Sequence, residues 1–239
     1  MRLIKLLCLC VVIFSVTGGC ILDDSDDNND NKDAITSIQQ LTLGGGVFIV
    51  RSQGFGFAQI GTFNEQNPYE EASVFVNDIQ LANNSGFHSN TEPLTIRQLT
   101  AQSTIRIAVY ALGDSVVKEL TIPEDPVIVK PEEGAVVITG APLDVQIGFP
   151  GEHQYVAVTL VDQNFANGWE IPANKEISFS IPGATITKSG TFPLQAYAVN
   201  TSGDIPDNFN LNNQYKLFLV AALTARNIEF TEQVRGFGN

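Results

Sequence analysis

The sequence predicts an all-β protein in which two antiparallel sandwiches follow one another along the chain. Three observations lead to this fold class. Several segments alternate apolar and polar residues with a period of two, as half-buried strands do. No long segment shows the helical spacing of apolar residues at i, i+3 and i+4. Charged residues make up only 16% of the 239 positions, whereas coiled coils and helical bundles are usually much richer in them.

The alternation is clearest in four segments separated by turn residues, at 105–111, 143–149, 177–181 and 192–198. Asn77 and Asp78 stand between two apolar runs and predict a two-residue hairpin turn, because both residues tolerate a positive φ. The segment 216–225 fits a buried strand or two turns of helix, and its surrounding β-branched and aromatic residues favour the strand. The glycines at 44–46, 54 and 56 are interpreted as turns and bulges.

The first twenty residues predict export. Arg2 and Lys5 give a positive start, an apolar run follows at 6–16, and small residues precede Cys20. This order is typical of a secretory signal peptide. The apolar run is too short to cross a bilayer core of about 30 Å, which needs about 20 residues. Residues 1–19 are therefore predicted to be a signal peptide that is removed.

The segment 16–20 (VTGGC) resembles the lipobox of bacterial lipoproteins. The resemblance implies that the chain is cut before Cys20 and lipidated on it. Because Ile21 follows rather than Asp, the resemblance also implies the outer membrane, with the body facing the periplasm or the outside. Cys8 and Cys10 leave with the signal peptide, so an unmodified Cys20 would be a lone thiol in an oxidising compartment. The alternative is cleavage elsewhere, with Cys20 free or in an intermolecular disulfide.

Residues 20–34 are predicted to be the lipidated cysteine and a disordered acidic tether. The stretch 23–33 holds six Asp and one Lys and no apolar residue, so it cannot bury enough area to offset its ordering entropy. We interpret it as a spacer. The alternative is calcium binding, which needs oxygen ligands placed around a turn that usually contains Gly, and this stretch has none.

Two strand-rich blocks follow, at 35–123 and 124–239. The segment Pro123–Pro126 separates them, because proline lacks the backbone donor that a sheet ladder needs. Each block has the ordinary size of an antiparallel sandwich.

Both blocks resemble exported β-modules. In the first, the segments 72–81, 99–109 and 119–123 resemble an Ig-like or prealbumin-like module of exported bacterial proteins. In the second, 127–134 with 143–149, and later 189–200, resemble a fibronectin type III or related Ig-like domain. The resemblance implies two tandem Ig-like sandwiches and no catalytic residue.

Residues suited to acid–base or metal chemistry are scarce. His88 lies in the polar stretch 83–92 and His153 lies beside Glu152 in a turn. Both histidines are interpreted as surface loop residues, because neither has a partner at metal-ligand spacing. The pairs Glu70–Glu71 and Glu132–Glu133 are interpreted as solvated turns, because neighbours on a strand point to opposite faces. The sequence therefore predicts no catalytic, cofactor-binding or metal site and no enzyme activity.

Two further features bear on binding. Trp169 is predicted to belong to the core, and the alternative is a stacking platform for a sugar or an anchor for a protein partner. An oxygen-rich stretch is interpreted as a solvated loop, with calcium binding as the alternative. Its members are Asp204, Asp207, Asn208, Asn210, Asn212 and Asn213.

The net charge of −13 argues against a nucleic-acid partner. The sequence predicts a lipid-anchored envelope protein with a binding, adhesion or scaffolding role, attached to the membrane through Cys20 and contacting an envelope protein or glycan. One alternative is an envelope hydrolase acting on glycans or peptides, with a cleft lined by converging carboxylates or by His153 with a Ser and an acid. Another is a subunit of an envelope assembly, with Phe48, Phe55 and Phe57 as an exposed patch.

Overall fold

The computed structural model describes residues 35–64, 67–91, 94–95, 99–163, 165–203 and 216–232. These residues form eighteen β-strands and three short 3-10 turns, with no α-helix among them. The all-β prediction is therefore confirmed. The predicted signal peptide, Cys20, the acidic tether and the oxygen-rich stretch from Asp204 to Asn213 lie outside the described residues.

Ten strands precede the Pro123–Pro126 segment. They are β1 (Thr42–Val50), β2 (Phe55–Asn64), β3 (Asn67–Pro68), β4 (Ser73–Val76), β5 (Ile79–Gln80), β6 (Ala82–Asn84), β7 (Phe87–Ser89), β8 (Leu94–Thr95), β9 (Thr104–Ala111) and β10 (Asp114–Thr121).

Eight strands follow that segment. They are β11 (Val127–Lys130), β12 (Val136–Ile138), β13 (Leu143–Phe149), β14 (Tyr155–Leu160), β15 (Phe165–Trp169), β16 (Lys175–Ile181), β17 (Gly190–Thr201) and β18 (Lys216–Thr231). The 3-10 turns are Ile38–Gln40, Arg51–Gln53 and Gly183–Thr185.

The strands form three sheets. The main sheet has the order β15-β14-β17-β18-β1-β2-β7-β6, with β12 beside β18 and with β3 and β8 beside β2. A four-stranded sheet has the order β10-β9-β4-β5, and a three-stranded sheet has the order β11-β13-β16. The main sheet therefore draws on both halves of the chain, whereas each smaller sheet draws on one.

The last strand, β18, organises the molecule. It pairs antiparallel with β17 from Gly190 to Thr201, and parallel with β1 through its first half and with β12 at its end. These two parallel ladders depart from the predicted antiparallel pairing. A parallel pair needs a long crossover connection. For β1 and β18 this connection is nearly the whole described fold, because β1 is the first described strand and β18 is the last.

Side chains on one face of β18 enter two cores. Phe218 and Val220 belong to a first core with residues of β1, β2 and the four-stranded sheet. Ile228 and Phe230 belong to a second core with residues of β14, β17 and the three-stranded sheet. All four are even-numbered, and strand side chains alternate between faces, so both smaller sheets pack on the same face of the main sheet.

The second core lies inside a sandwich of seven strands. β12 is an additional strand that pairs with β18 at one edge of this sandwich. The three-stranded sheet packs against the part of the main sheet formed by β15, β14, β17 and β18. Two antiparallel sheets packed face to face over a core of alternating inward side chains resemble an Ig-like or fibronectin type III module.

The segment Pro123–Pro126 connects the two cores. Before it, the chain builds most of the first core, and after it the chain builds the second core and also supplies Phe218 and Val220 to the first. The predicted boundary at 123/124 stays a prediction. The structure adds that the block before this boundary is completed by a strand from the end of the described chain.

Two predicted turn features have different outcomes. The hairpin at Asn77 and Asp78 is confirmed, since β4 pairs with β5 and the two residues have φ values of 46° and 65°. The triple glycine, predicted to be a turn or bulge, lies instead inside β1. A Cβ on Gly46 would lie 2.4 Å from Cδ1 of Leu219, so glycine lets β18 pack closely against β1.

Candidate functional site

His88, predicted to lie in a surface loop, is fully buried in β7, so that prediction is wrong. Its Nε2 lies 3.2 Å from the Thr62 hydroxyl oxygen, which donates in turn to the Tyr69 carbonyl. Its Nδ1 has no hydrogen-bond partner among the residues that the structure describes. Burial lowers the pKa of His88 from 6.5 to about 4, because a charged imidazole would be desolvated there. The side chain is thus a neutral structural group.

His153 lies on a groove between the two blocks, half-buried rather than fully exposed. The groove has a volume of about 390 Å³, and Glu119 of β10 and Glu152 line it with His153. Among the described residues, no side chain hydrogen-bonds to either ring nitrogen. Burial is the main effect that lowers the pKa of His153. The groove therefore places two carboxylates and the His153 imidazole along one surface, but its described lining has no serine to complete a set of His153 with a Ser and an acid.

The other polar groups of this groove are hydrogen-bonded to one another. The Gln154 side-chain oxygen accepts from the Thr201 amide at 2.6 Å and from its hydroxyl at 2.9 Å. The Asn200 side-chain amide donates to the Thr121 carbonyl at 2.8 Å. This last bond joins β17 to the end of β10. The bond from Asn200 to Thr121 is therefore a brace between the blocks, whereas the bonds from Thr201 to Gln154 lie within the second block.

Arg51 forms a second brace. It follows β1, and its guanidinium donates to the carbonyls of Leu99 at 3.2 Å and Pro123 at 3.1 Å. It also pairs with Asp125. Burial raises the pKa of Asp125 and the Arg51 charge opposes that rise, so the carboxyl depends on the guanidinium for its charged form.

Trp169 ends β15 and packs against the second core, half-buried. Its ring lies 5.1 Å from that of Phe179 on β16, and Phe165 stacks on Phe179 at 5.8 Å. Trp169 thus packs against the core without being buried in it, and the three partly accessible rings form an aromatic cluster where the edge strands β15 and β16 face each other.

The glutamate pairs are exposed, as predicted for solvated turns. Glu71 accepts a hydrogen bond from the Tyr69 hydroxyl at 3.3 Å. Glu133 pairs with Arg226 of β18 at 3.3 Å.

The phenylalanines predicted to form an exposed patch are not exposed. Phe48 is buried and Phe55 and Phe57 are half-buried, and the rings of Phe48 and Phe57 stack at 5.0 Å. They belong to a third cluster with Leu217 and Leu219, on the opposite face of β18 from the two cores.

The exposed apolar side chains lie elsewhere, along strands that sequence reasoning did not single out for binding. Val136 and Ile138 of β12 are 60% and 48% exposed, and Val127 and Val129 of β11 are 55% and 42% exposed. Among the described strands, β12 pairs only with β18, so its other edge is open. The sequence signal was alternation within a short apolar run, which predicts a strand but not which of its faces is covered.

The described residues offer neither a metal site nor a membrane-spanning helix. No group of three or more His, Cys, Asp or Glu side chains is placed to hold a metal ion there. That part of the chain also has no helix of the length and apolar character needed to cross a membrane.

Comparisons with known proteins give distant structural neighbours. No protein-family model matches the chain, and no curated protein matches its sequence. Fibronectin(III)-like modules of CbhA from Clostridium thermocellum align over 83% of this chain and 97% of theirs, at 10% identity and a TM-score of 0.28. A bacterial ice-binding adhesin aligns over 80% of this chain and 66% of its own, at 10% identity and a TM-score of 0.26. Domains 4 and 5 of the S-layer protein SbsC align over 74% of this chain and 81% of theirs, at 9% identity and a TM-score of 0.21.

Proposed function

We propose that this protein is a lipid-anchored component of the bacterial cell envelope with a non-catalytic binding, adhesion or scaffolding role. Within the envelope, we propose that it is attached to the outer membrane. Its anchor would be Cys20, and its body would act as one stiff spacer rather than as two freely hinged modules. The observation that carries the proposal is the continuity of β18 through both cores.

The geometry suits a spacer. β18 has 16 residues and therefore spans about 50 Å at roughly 3.3 Å per residue. The chain that arrives from Cys20 enters at the start of this strand, where Leu43 pairs with Lys216 and the Lys216 ammonium donates to the Gln39 carbonyl at 3.0 Å. The opposite end of the strand pairs with Ile138. A partner bound there would be held far from the lipid.

The contact surface proposed for a partner is the open edge of β12. Val136 and Ile138 expose apolar side chains there, and an open edge can pair with an added strand. An envelope protein contributing an extended segment fits this edge better than a glycan does. The aromatic cluster around Trp169 is the surface that would suit a sugar, because aromatic rings stack on sugar faces.

The anchor is tested by labelling cells with a fatty-acid analogue. Wild-type protein should take up the label and Cys20→Ser should not. Equal labelling of the two would remove the anchor from the proposal.

The contact surface is tested by placing a photo-crosslinking residue at Val136 or Ile138 of the full chain in cells. Ser178 of β16, which is exposed on the same sandwich, is the matched control position. Crosslinks to one defined envelope component from the two β12 positions, with none from position 178, support the proposal. The same products from all three positions count against it.

A hydrolase acting on glycans or peptides is the second candidate, because His153, Glu119 and Glu152 line one groove. It is tested by incubating the full chain with envelope glycans and peptides. Turnover that disappears in His153→Gln would favour the hydrolase over the scaffold.

A further inference from the structure

Two hairpins of the four-stranded sheet share a backbone conformation but differ in sequence. The β4–β5 turn has Asn77 and Asp78 at positive φ, and the β9–β10 turn has Leu112 and Gly113 at φ values of 56° and 75°. Asn and Asp are favoured in such turns, whereas a leucine there costs roughly 1 kcal/mol or more. The Asn77 side chain also accepts a hydrogen bond from the Arg106 amide at 2.8 Å. Leu112 therefore occupies a position that its own backbone preference disfavours.

The side chain of Leu112 is directed to solvent rather than to the core. It is 38% exposed, and Tyr110, two residues earlier on the strand, is 42% exposed. The Tyr110 ring packs edge-on against Phe75 at 5.6 Å, which fixes its position on the sheet. A Cβ added to Gly113 would meet nothing within 4 Å. We call the surface formed by Tyr110, Leu112 and Gly113 the hairpin tip. It combines an unfavourable backbone with exposed apolar groups, and such outliers concentrate at functional positions.

The hairpin tip lies at the end of the molecule where the chain enters from Cys20. Tyr110 pairs with Ser73 at the start of β4, four residues after Tyr69. The Tyr69 amide donates to the Thr62 carbonyl at 2.8 Å, and Thr62 pairs with Leu43. The 3-10 turn that precedes β1 also lies against β10. The control hairpin at Asn77 and Asp78 is at the other end of the same sheet.

From this placement we infer that the hairpin tip rests on the lipid surface to which the protein is anchored. The inference rests on the proposed anchoring at Cys20. Fourteen residues, 21–34, separate Cys20 from the first described residue, and fourteen residues span at most about 50 Å when fully extended. The tip is therefore within reach of the bilayer. A tyrosine beside an apolar side chain is the pairing favoured at a membrane–water interface.

The charges around the tip restrict the kind of lipid. Glu71, next to the strand that pairs with Tyr110, and Asp114, next to Gly113, are both exposed, whereas the Arg106 guanidinium beside Tyr110 is paired with Asp78 at 3.3 Å. Both carboxylates would be repelled by an anionic surface. The surface chemistry that fits is a zwitterionic headgroup layer, and added anionic lipid should weaken the contact.

The test uses the full lipidated chain in vesicles of phosphatidylcholine whose acyl chains carry bromine, which quenches tryptophan emission at short range. Trp169→Phe removes the single native tryptophan. In that background, one tryptophan is introduced by Leu112→Trp, by Tyr110→Trp, or by Asp78→Trp as the matched control. The 110 and 112 probes should shift to the blue and lose most of their emission, whereas the probe at 78 should keep its emission. Using two tip positions protects the test from a single variant that fails to fold.

Flotation of the wild-type chain with the vesicles separates the two claims. Flotation without quenching at 110 and 112 overturns the tip contact and leaves the anchor intact. If the wild type neither floats nor takes up fatty-acid label, both the anchor and the tip contact are overturned. A blue shift that needs no lipid and grows with protein concentration means that a second copy covers the tip, and it also overturns the inference. Quenching that falls when phosphatidylglycerol is mixed in supports it.

Discussion

The two cores are built by different kinds of chain topology. The second core is assembled mainly from consecutive strands, β11 to β17, and closed by the end of β18. The first core is assembled from β1 to β10 but needs Phe218 and Val220, more than 90 positions after the last residue of β10. The first core thus depends on a distant segment, whereas the second depends chiefly on its neighbours. The difference teaches that one strand can contribute buried side chains to two cores that are otherwise built from different parts of the chain.

The most direct test of this difference between the two cores is to truncate one side chain of β18 at a time. Phe218→Ala and Phe230→Ala each remove a fully buried ring and should each cost about 3–5 kcal/mol of unfolding free energy. Urea denaturation followed by hydrogen exchange checks the prediction. Protection should fall first in β1 and β9 for Phe218→Ala, and first in β13 and β14 for Phe230→Ala. Equal loss in both cores from both variants would mean that the two cores unfold as one unit.

The next prediction concerns how the free energy of unfolding depends on pH through His88 of the first block. His88, in the first block, has a pKa lowered to about 4, so the unfolded chain binds a proton at higher pH than the folded chain does. Stability should therefore fall as the pH drops from about 6.5 to about 4, by about 3 kcal/mol, and level off below that. Denaturation curves measured across this range check the loss.

His88→Gln should flatten most of that pH dependence. His153→Gln should change it less, since His153 is only half-buried in its groove. If stability is the same at pH 4 and pH 7 in the wild type, the buried position of His88 carries no proton linkage.

The junction between the cores is tested by Arg51→Met. This change keeps the apolar stem but leaves Asp125 and two carbonyls without their donor, and we expect a loss of about 2 kcal/mol. Because burial raises the pKa of Asp125, the loss should be smaller at acidic pH, where the carboxyl is protonated. Asp125→Asn in the Arg51→Met background is the control that should remove this pH effect.

A smaller effect is expected in the groove. Gln154→Ala deletes the acceptor of two hydrogen bonds from Thr201 and should cost about 1 kcal/mol. The midpoint of thermal unfolding measures it. A loss several times larger would indicate that Gln154 supports more of the second block than its two hydrogen bonds to Thr201.

The smallest expected effect has the opposite sign. Leu112→Asn replaces a residue that disfavours positive φ with one that tolerates it, and should stabilise the protein by about 0.5 kcal/mol. Asn77→Leu, at the matched hairpin, should destabilise it, because the bond to the Arg106 amide is lost as well. If the Leu112→Asn variant is more stable than the wild type, leucine at this turn does not contribute to the stability of the fold.

The sequence predicted the local elements well. The alternating segments at 105–111, 143–149 and 177–181 are strands, and the segment from Lys216 is a strand rather than a helix. The hairpin at Asn77 and Asp78 follows from the φ preference of those residues. In each case the signal is contained in adjacent residues, so periodicity and turn chemistry are sufficient to read it.

The positions of the site residues are harder to predict from the sequence. The polar neighbours of His88 predict a loop, but they belong to the edge strand β6 and to β7, which lies between β6 and β2. The groove joins Glu119 to His153 across 34 positions. Neither the burial of one histidine nor the meeting of the other with carboxylates follows from local composition.

By itself, the sequence determined that the described chain is all-β, where most of its strands run and how its tightest polar hairpin turns, because each of these depends on the conformational preferences of neighbouring residues. Only the tertiary structure decided that β18 is shared by two cores, that Phe48 is buried while Val136 is exposed, and that Leu112 lies at the end where the chain enters. These outcomes depend on which distant surfaces come together. Side-chain alternation states only that a strand has two faces, and packing decides what each face meets.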